Sequence, residues 1–230
     1  RPRTLQEAIE SLAAPAEAPS TSAWTPPPDG EWLRLVRHPS VVLIIGKRGG
    51  GKSALGYRLL ELLRGHGEPY AVGLPPNAAK LLPDWVGVMD RLEDVPTGAV
   101  VLLDESYLSH HARGSMTEAG RAIGGLINLS RQKRQTLIFI VQEARQLDVN
   151  IVSQIDVLAV KELSELSRGY ERAQLRQLTD KARAMFQGLS GKRTPWTWVY
   201  SEPGDHEGLV KNELASFWKP SLSHAFADGG

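Results

Sequence analysis

The 230-residue sequence contains no cysteine, which excludes disulfides and thiolate metal sites and fits a reducing compartment, the cytoplasm being the expected location. No apolar stretch approaches the roughly 18 residues that a membrane-crossing helix needs, and the N-terminus lacks the apolar core of a signal peptide. An excess of one charge is missing too. With 27 basic and 26 acidic residues the formal net charge is +1, so composition neither supports nor excludes nucleic acid, and a ring could still present a local basic channel. No internal repeat is visible. The chain opens at Arg1 rather than methionine, as a trimmed chain would.

What is present is ordinary globular material, 41% hydrophobic and 23% charged, enough for one well-buried α/β domain with additions. Residues 1–30 form a proline-rich arm. Its stretch "AAPAEAPSTSAWTPPPDG" favours an extended, polyproline-like path, either solvated or packed through Trp24 and its prolines on a neighbouring subunit.

From residue 31 to 230, strand-like and helix-like segments alternate, which predicts a mostly parallel sheet covered by helices on both faces. Strands are expected at Val41–Ile45, Tyr70–Leu74, Val86–Met89, Ala99–Glu105, Thr136–Gln142 and Ile155–Val160, with "WTWVYS" as the final strand. Trp196, Trp198 and Tyr200 alternate at period two, as on a half-buried strand. Helices are expected up to about Leu63, from Thr117 to Ser130, and from Glu162 to Gln187. In the second of these, Ser115 and Glu118 are spaced as a capping box, and Ile123, Leu126, Ile127 and Ser130 share a face. Gly120, Gly124 and Gly125 weaken it, which points to close packing or a functional contact.

Gly46, Gly51, Lys52 and Ser53 match G-x-x-x-x-G-K-[ST] between a strand and a helix, the context that a phosphate-binding loop requires. Gly46, Lys47, Arg48, Gly49, Gly50, Gly51, Lys52, Ser53 and Ala54 are thus the expected ATP-binding residues. Glycines let backbone N–H groups turn toward phosphate oxygens, and the helix adds its positive N-terminal end. Lys52 is expected to reach the β- and γ-phosphates and Ser53 to ligate Mg²⁺.

In "VVLLDES", four apolar residues deliver Asp104 and Glu105 to the C-terminal edge of a strand, where ligands collect in open α/β sheets. Asp104 suits the shell of Mg²⁺, and Glu105 suits polarising the attacking water. Gln142 ends the next buried strand, either as a γ-phosphate sensor or as a strand-end cap. Arg131, Arg134 and Arg145 are candidates for an arginine finger, although "SRQKRQ" is also what a helix C-terminus satisfied by cations carries. His110 and His111 lack a third ligand and read as loop residues.

Together, "GKRGGGKS", "VVLLDES" and "NLSRQKRQTLIFIVQEARQLDVNIVSQIDVLAV" resemble the HerA and FtsK superfamily of DNA translocases and viral packaging ATPases, over about residues 40 to 160. The nearest subgroup is that of the zonula-occludens-toxin-like ATPases, which include filamentous-phage assembly proteins. The resemblance implies a RecA-like core of the additional-strand type, ATP-driven movement of DNA, and a homo-oligomeric ring in which an arginine finger completes the neighbour's site. It also implies capsid or assembly proteins as partners, and a location in the host cytoplasm or on the virion. Toxin-like members typically carry a membrane helix; its absence from this sequence favours a soluble packaging or translocation motor over membrane-coupled extrusion. Lys47 resembles instead the signature lysine of the ParA-like partition ATPases, which act as dimeric nucleotide switches, but Arg48 stands where that family has glycine. A virion-assembly ATPase is the third reading.

Overall fold

The computed structural model describes residues 31–103, 107, 116–141, 149–165, 168 and 173–224. The arm 1–30 and Asp104, Glu105, His110, His111, Ser115, Gln142 and Arg145 lie outside the described residues.

Short runs of β-branched and other apolar residues make the strands. These are β1 (Val41–Ile45), β2 (Pro69–Val72), β3 (Gly87–Met89), β4 (Val100–Leu103), β5 (Thr136–Val141), β6 (Val157–Val160), β7 (Trp196–Ser201) and β8 (His206–Lys211). Every residue of β1, β4, β5 and β6 is buried, as expected for strands covered on both faces. The helical segments are α1 (Trp32–Leu35), α2 (Lys52–Leu62), α3 (Pro76–Ala79), α4 (Met116–Gln132), α5 (Val149–Val152), α6 (Ala173–Gln187) and α7 (Pro220–His224).

The eight strands form one sheet in the order β3-β2-β4-β5-β1-β6-β7-β8. Pairing is parallel from β3 to β6 and antiparallel across β6, β7 and β8. The period-two alternation of β1 divides the core. Val41, Leu43 and Ile45 join the cluster that contains Ile123 and Ile127 of α4 and Leu178 and Phe186 of α6, whereas Val42 and Ile44 join Leu55 and Leu59 of α2 and Trp32 of α1. The result is the expected RecA-like α/β sandwich. β5 lies between β1 and β4, the additional-strand order.

Four sequence expectations change. The helix expected from Glu162 starts at Ala173 instead, and residues 161–164 are not helical because Glu162 is engaged elsewhere: its carbonyl accepts the Lys47 N–H at 2.9 Å. "WTWVYS" is not the last strand; β8 follows it and α7 comes after. The tryptophan strand is covered on both sides, with Thr197, Val199 and Ser201 buried as well as Trp198. In α4, a Cβ added to Gly124 or Gly125 would meet nothing within 4 Å among the described residues, so close packing against them does not explain these glycines.

The sheet edge where β1, β5 and β6 begin is held by ions. Asp156 Oδ2 accepts the Val41 N–H at 2.6 Å, while Arg131 donates to the Gln154 carbonyl at 2.8 Å and stands 3.9 Å from Asp156. Lys133 donates to the Glu93 and Val95 carbonyls. Basic residues at the end of α4 therefore serve carbonyls there.

Phe139 pairs in register with Leu43 on one side and Leu103 on the other, and is 1% exposed. Phe139→Ala is expected to lower unfolding free energy by about 3–5 kcal/mol, read from the midpoint of urea denaturation.

Candidate nucleotide-binding site

Parallel pairing brings the C-terminal ends of β1, β5 and β6 to one edge, with Ile45 in register with Val141 and with Val160. The loop after β1 turns there. Gly46, Gly49 and Gly51 have φ of 156°, 73° and 90°, backbone conformations that a side chain disfavours. Gly46 has a second constraint: a Cβ on it would stand 2.6 Å from the Cβ of Lys161, the residue after β6. Gly51 is the N-cap of α2, so the helix begins at Lys52 and its first amides face the loop.

Lys52 is buried, and its ammonium donates to the Gly46 and Lys47 carbonyls at 2.9 and 3.0 Å. A buried cation among loop carbonyls, beside a helix N-terminus, is an environment suited to an anion and fits a nucleotide phosphate. Ser53 occupies the first turn of α2 and is half-buried, while Arg48 is exposed and Ala54 is buried. The donor set for Mg²⁺ would be the Ser53 hydroxyl and the Asp104 carboxylate, both hard oxygens of the kind that ion takes.

The floor of the loop comes from residues that sequence reasoning missed. Lys161 is fully buried; its ammonium donates to the Thr194 carbonyl at 2.7 Å, to Thr197 Oγ1 at 3.0 Å and to Asn212 Oδ1 at 3.0 Å. Burial pushes its pKa down from 10.5 to about 7. Next to it, Glu162 pairs with Lys47 at 2.7 Å and with Arg193 at 2.9 Å. Burial opposes ionisation of Glu162, but hydrogen bonds from Lys47 and Arg193 prevail and hold its carboxyl below the usual range. The loop is thus fastened to residue 162 twice, through the backbone and through the Lys47 side chain. One signal for Lys161 was legible: a lysine immediately following a buried strand at the ligand edge. Its partners Thr194, Thr197 and Asn212 had none, because they come from the distant β7–β8 hairpin.

Beside the loop opens a cleft of about 270 Å³, lined by Lys47, Glu162, Glu165, Arg183, Phe186 and Arg193 among others. Of the expected site residues, Gly46 to Ala54 cluster at this edge. β4 and β5 end immediately before Asp104 and Gln142, which with Glu105 and Arg145 lie outside the described residues. Arg131 and Arg134 precede β5 and therefore sit toward the opposite edge of the sheet from the chain's own loop.

The fold recurs in solved structures. The genome packaging NTPase B204 from Sulfolobus turreted icosahedral virus 2, in complex with AMPPCP, is 16% identical, with 77% of this chain and 99% of that chain covered at a TM-score of 0.51. B204, the DNA-packaging ATPase from Sulfolobus turreted icosahedral virus, is 15% identical over 77% of this chain and 100% of that chain, at a TM-score of 0.53. The B204 of the first virus in complex with ATP-gammaS covers 76% of this chain and 98% of its own at 15% identity and 0.51. No protein-family model matches the sequence, and no curated protein matches it significantly. At these identities the likeness shows a shared fold, the P-loop NTPase fold of the packaging enzymes.

A buried Lys161 makes stability depend on pH in a definite direction. The unfolded side chain keeps its proton to about pH 10.5 and the folded one releases it near 7, so between these values the unfolded state holds more protons and stability rises with pH. Relative to Lys161→Met, the protein is expected to gain on the order of 2 kcal/mol between pH 7 and 9, measured by denaturation at each pH.

Proposed function

We propose that this chain is a Mg²⁺-dependent ATP hydrolase that works as an oligomeric DNA translocase of the viral genome-packaging kind, in the host cytoplasm or on the virion. The observation that carries this reading is the glycine loop with its buried Lys52, set in a sheet whose additional strand β5 separates β1 from β4. Fold likeness to packaging NTPases bound to ATP analogues supports it.

In this reading the loop amides from Gly46 to Ser53 and the first turn of α2 bind the β- and γ-phosphates, with the base and ribose in the adjoining cleft. Lys52 turns from the loop carbonyls to the phosphate oxygens. Ser53 and Asp104 would hold Mg²⁺, which supplies charge neutralisation at the β- and γ-phosphates. Glu105 orients and deprotonates the attacking water, and Gln142 senses the γ-phosphate. The developing charge on the far side of the γ-phosphate calls for a cation from a neighbouring subunit in a ring. Arg131, Arg134 and Arg145 are the candidates: Arg131 is engaged with Gln154 and Asp156, whereas Arg134 is exposed in the turn after α4. DNA and capsid or assembly proteins are the proposed partners.

The ion pair of Lys47 with Glu162 of the same chain favours this reading over the dimeric partition switch, in which that lysine reaches into the partner's site.

Lys52→Ala is expected to weaken ATP binding or turnover severely, and unchanged turnover would refute the loop's role. Glu105→Gln is expected to keep ATP-Mg²⁺ affinity while slowing hydrolysis by at least roughly 10²-fold; lost affinity would move Glu105 into the metal shell. Lys47→Ala is expected to weaken binding modestly and leave nucleotide-dependent assembly intact in sedimentation with an ATP analogue. For the shared site, a Glu105→Gln protein is mixed with a variant changed to Ala at Arg131, Arg134 or Arg145. Partial return of hydrolysis in mixed rings is the expected result, and duplex DNA is expected to stimulate the wild type. Absence of any DNA effect would argue for the assembly-scaffold reading.

A further inference from the structure

Beneath the phosphate loop lies a cation that the proposed mechanism does not use. Lys161 has no exposed surface, and among the described residues its ammonium has three hydrogen-bond acceptors and no carboxylate. The acceptors suit the charged form. The Thr194 carbonyl cannot donate; Thr197 commits its single hydroxyl proton to Asn212 Oδ1 at 3.0 Å; and the Asn212 amide nitrogen faces the Glu213 carbonyl at 3.3 Å, which fixes Oδ1 toward the lysine. With the hydroxyl proton turned that way, all three partners accept, and the three protons of the ammonium match them.

This ammonium lies directly behind the loop. A Cβ built on Gly51 would stand 3.4 Å from Lys161 Cε and 3.8 Å from Nζ, and one on Gly46 would strike Lys161 Cβ. Among the described residues, the other charged groups around it are accounted for. Lys47 and Lys52 are cations of the loop in front; Glu162, next in the chain, is shared by Lys47 and Arg193; Glu213, after Asn212, is 72% exposed and stands 3.8 Å from Arg58. Solvation is gone and no described anion replaces it, so burial alone opposes the charge and brings the proton's release into the neutral range.

We infer that Lys161 is a positioning residue for the nucleotide: its buried ammonium makes the floor of the phosphate loop positive from behind, so an anionic phosphate group and a proton on this side chain bind together. The inference rests on the nucleotide reading. The phosphate would supply the missing counter-charge through the thin glycine wall, and the free protein, partly deprotonated near neutral pH, would take up a proton as it binds. Glycine at 46 and 51 keeps that wall one backbone thick.

The test is calorimetry of ADP-Mg²⁺ binding at pH 8, where the nucleotide's phosphates are ionised, in two buffers of different ionisation enthalpy. The wild type is expected to take up about half a proton per ADP, and its affinity to fall roughly tenfold between pH 7 and 9. Lys161→Met is expected to show almost no uptake, a flat affinity over that range, and a Kd at pH 7 raised about tenfold, the effect of one charge behind the site. The wild-type uptake stands as a test even where the variant does not fold. Binding by the wild type without proton uptake, or uptake that persists in Lys161→Met, overturns this inference alone. No ADP binding by the wild type overturns the nucleotide reading and this inference with it.

Discussion

The closeness of the loop to the end of β6 is the contact on which the site depends. Gly46 lies against Lys161 with no room for a methyl group, and the Lys47 N–H closes onto the Glu162 carbonyl at 2.9 Å. A glycine loop on its own has many conformations; one held to a neighbouring strand by backbone, ion pair and steric contact has few. The parallel pairing of β1 with β6 is what brings these two strand ends together. That pairing is secured at its other end by Asp156, which accepts the Val41 N–H.

Charge is distributed unevenly along the sheet. Where the strands begin, Arg131 and Lys133 meet carbonyls and Asp156 and are locally satisfied. Where they end, Lys52 and Lys161 are buried, Lys161 with neutral oxygens as its hydrogen-bond partners among the described residues, and Glu162 is already bound to two cations. A chain almost neutral overall thus places two buried cations, Lys52 and Lys161, at one edge. Net charge carried no information about this, because it reports the sum and not the placement.

The parallel core was legible because β1, β4, β5 and β6 are runs of residues apolar on both faces, a pattern few other elements share, and because the loop motif sits between one of them and a helix. The α4 face was legible from spacing, and Ile123, Leu126, Ile127 and Ser130 are all buried. β8 was not: in "HEGLVK" only Gly208, Leu209 and Val210 are buried, too short a run between polar ends to stand out. The stretch after β6 reads as helix by composition, yet tertiary bonds from Lys47 and Arg193 to Glu162 override that propensity. Lys161 was overlooked because a lysine after a strand is usually solvated; only the folded hairpin behind it makes it buried.

The hairpin that buries Lys161 also closes the chain on itself. The Trp32 indole donates to the Lys211 carbonyl across 179 residues of sequence, and the Ser201 hydroxyl donates to the Leu35 carbonyl across 166. Bonds of that span carry a large loop-closure cost before they form, and on a ribosome the first cannot form until β8, nor the second until β7, has left the exit tunnel. The glycine loop, translated early, therefore waits for the last strands before its floor exists. Competence to bind is in this sense a late event in biogenesis, acquired when synthesis of the described core is nearly complete.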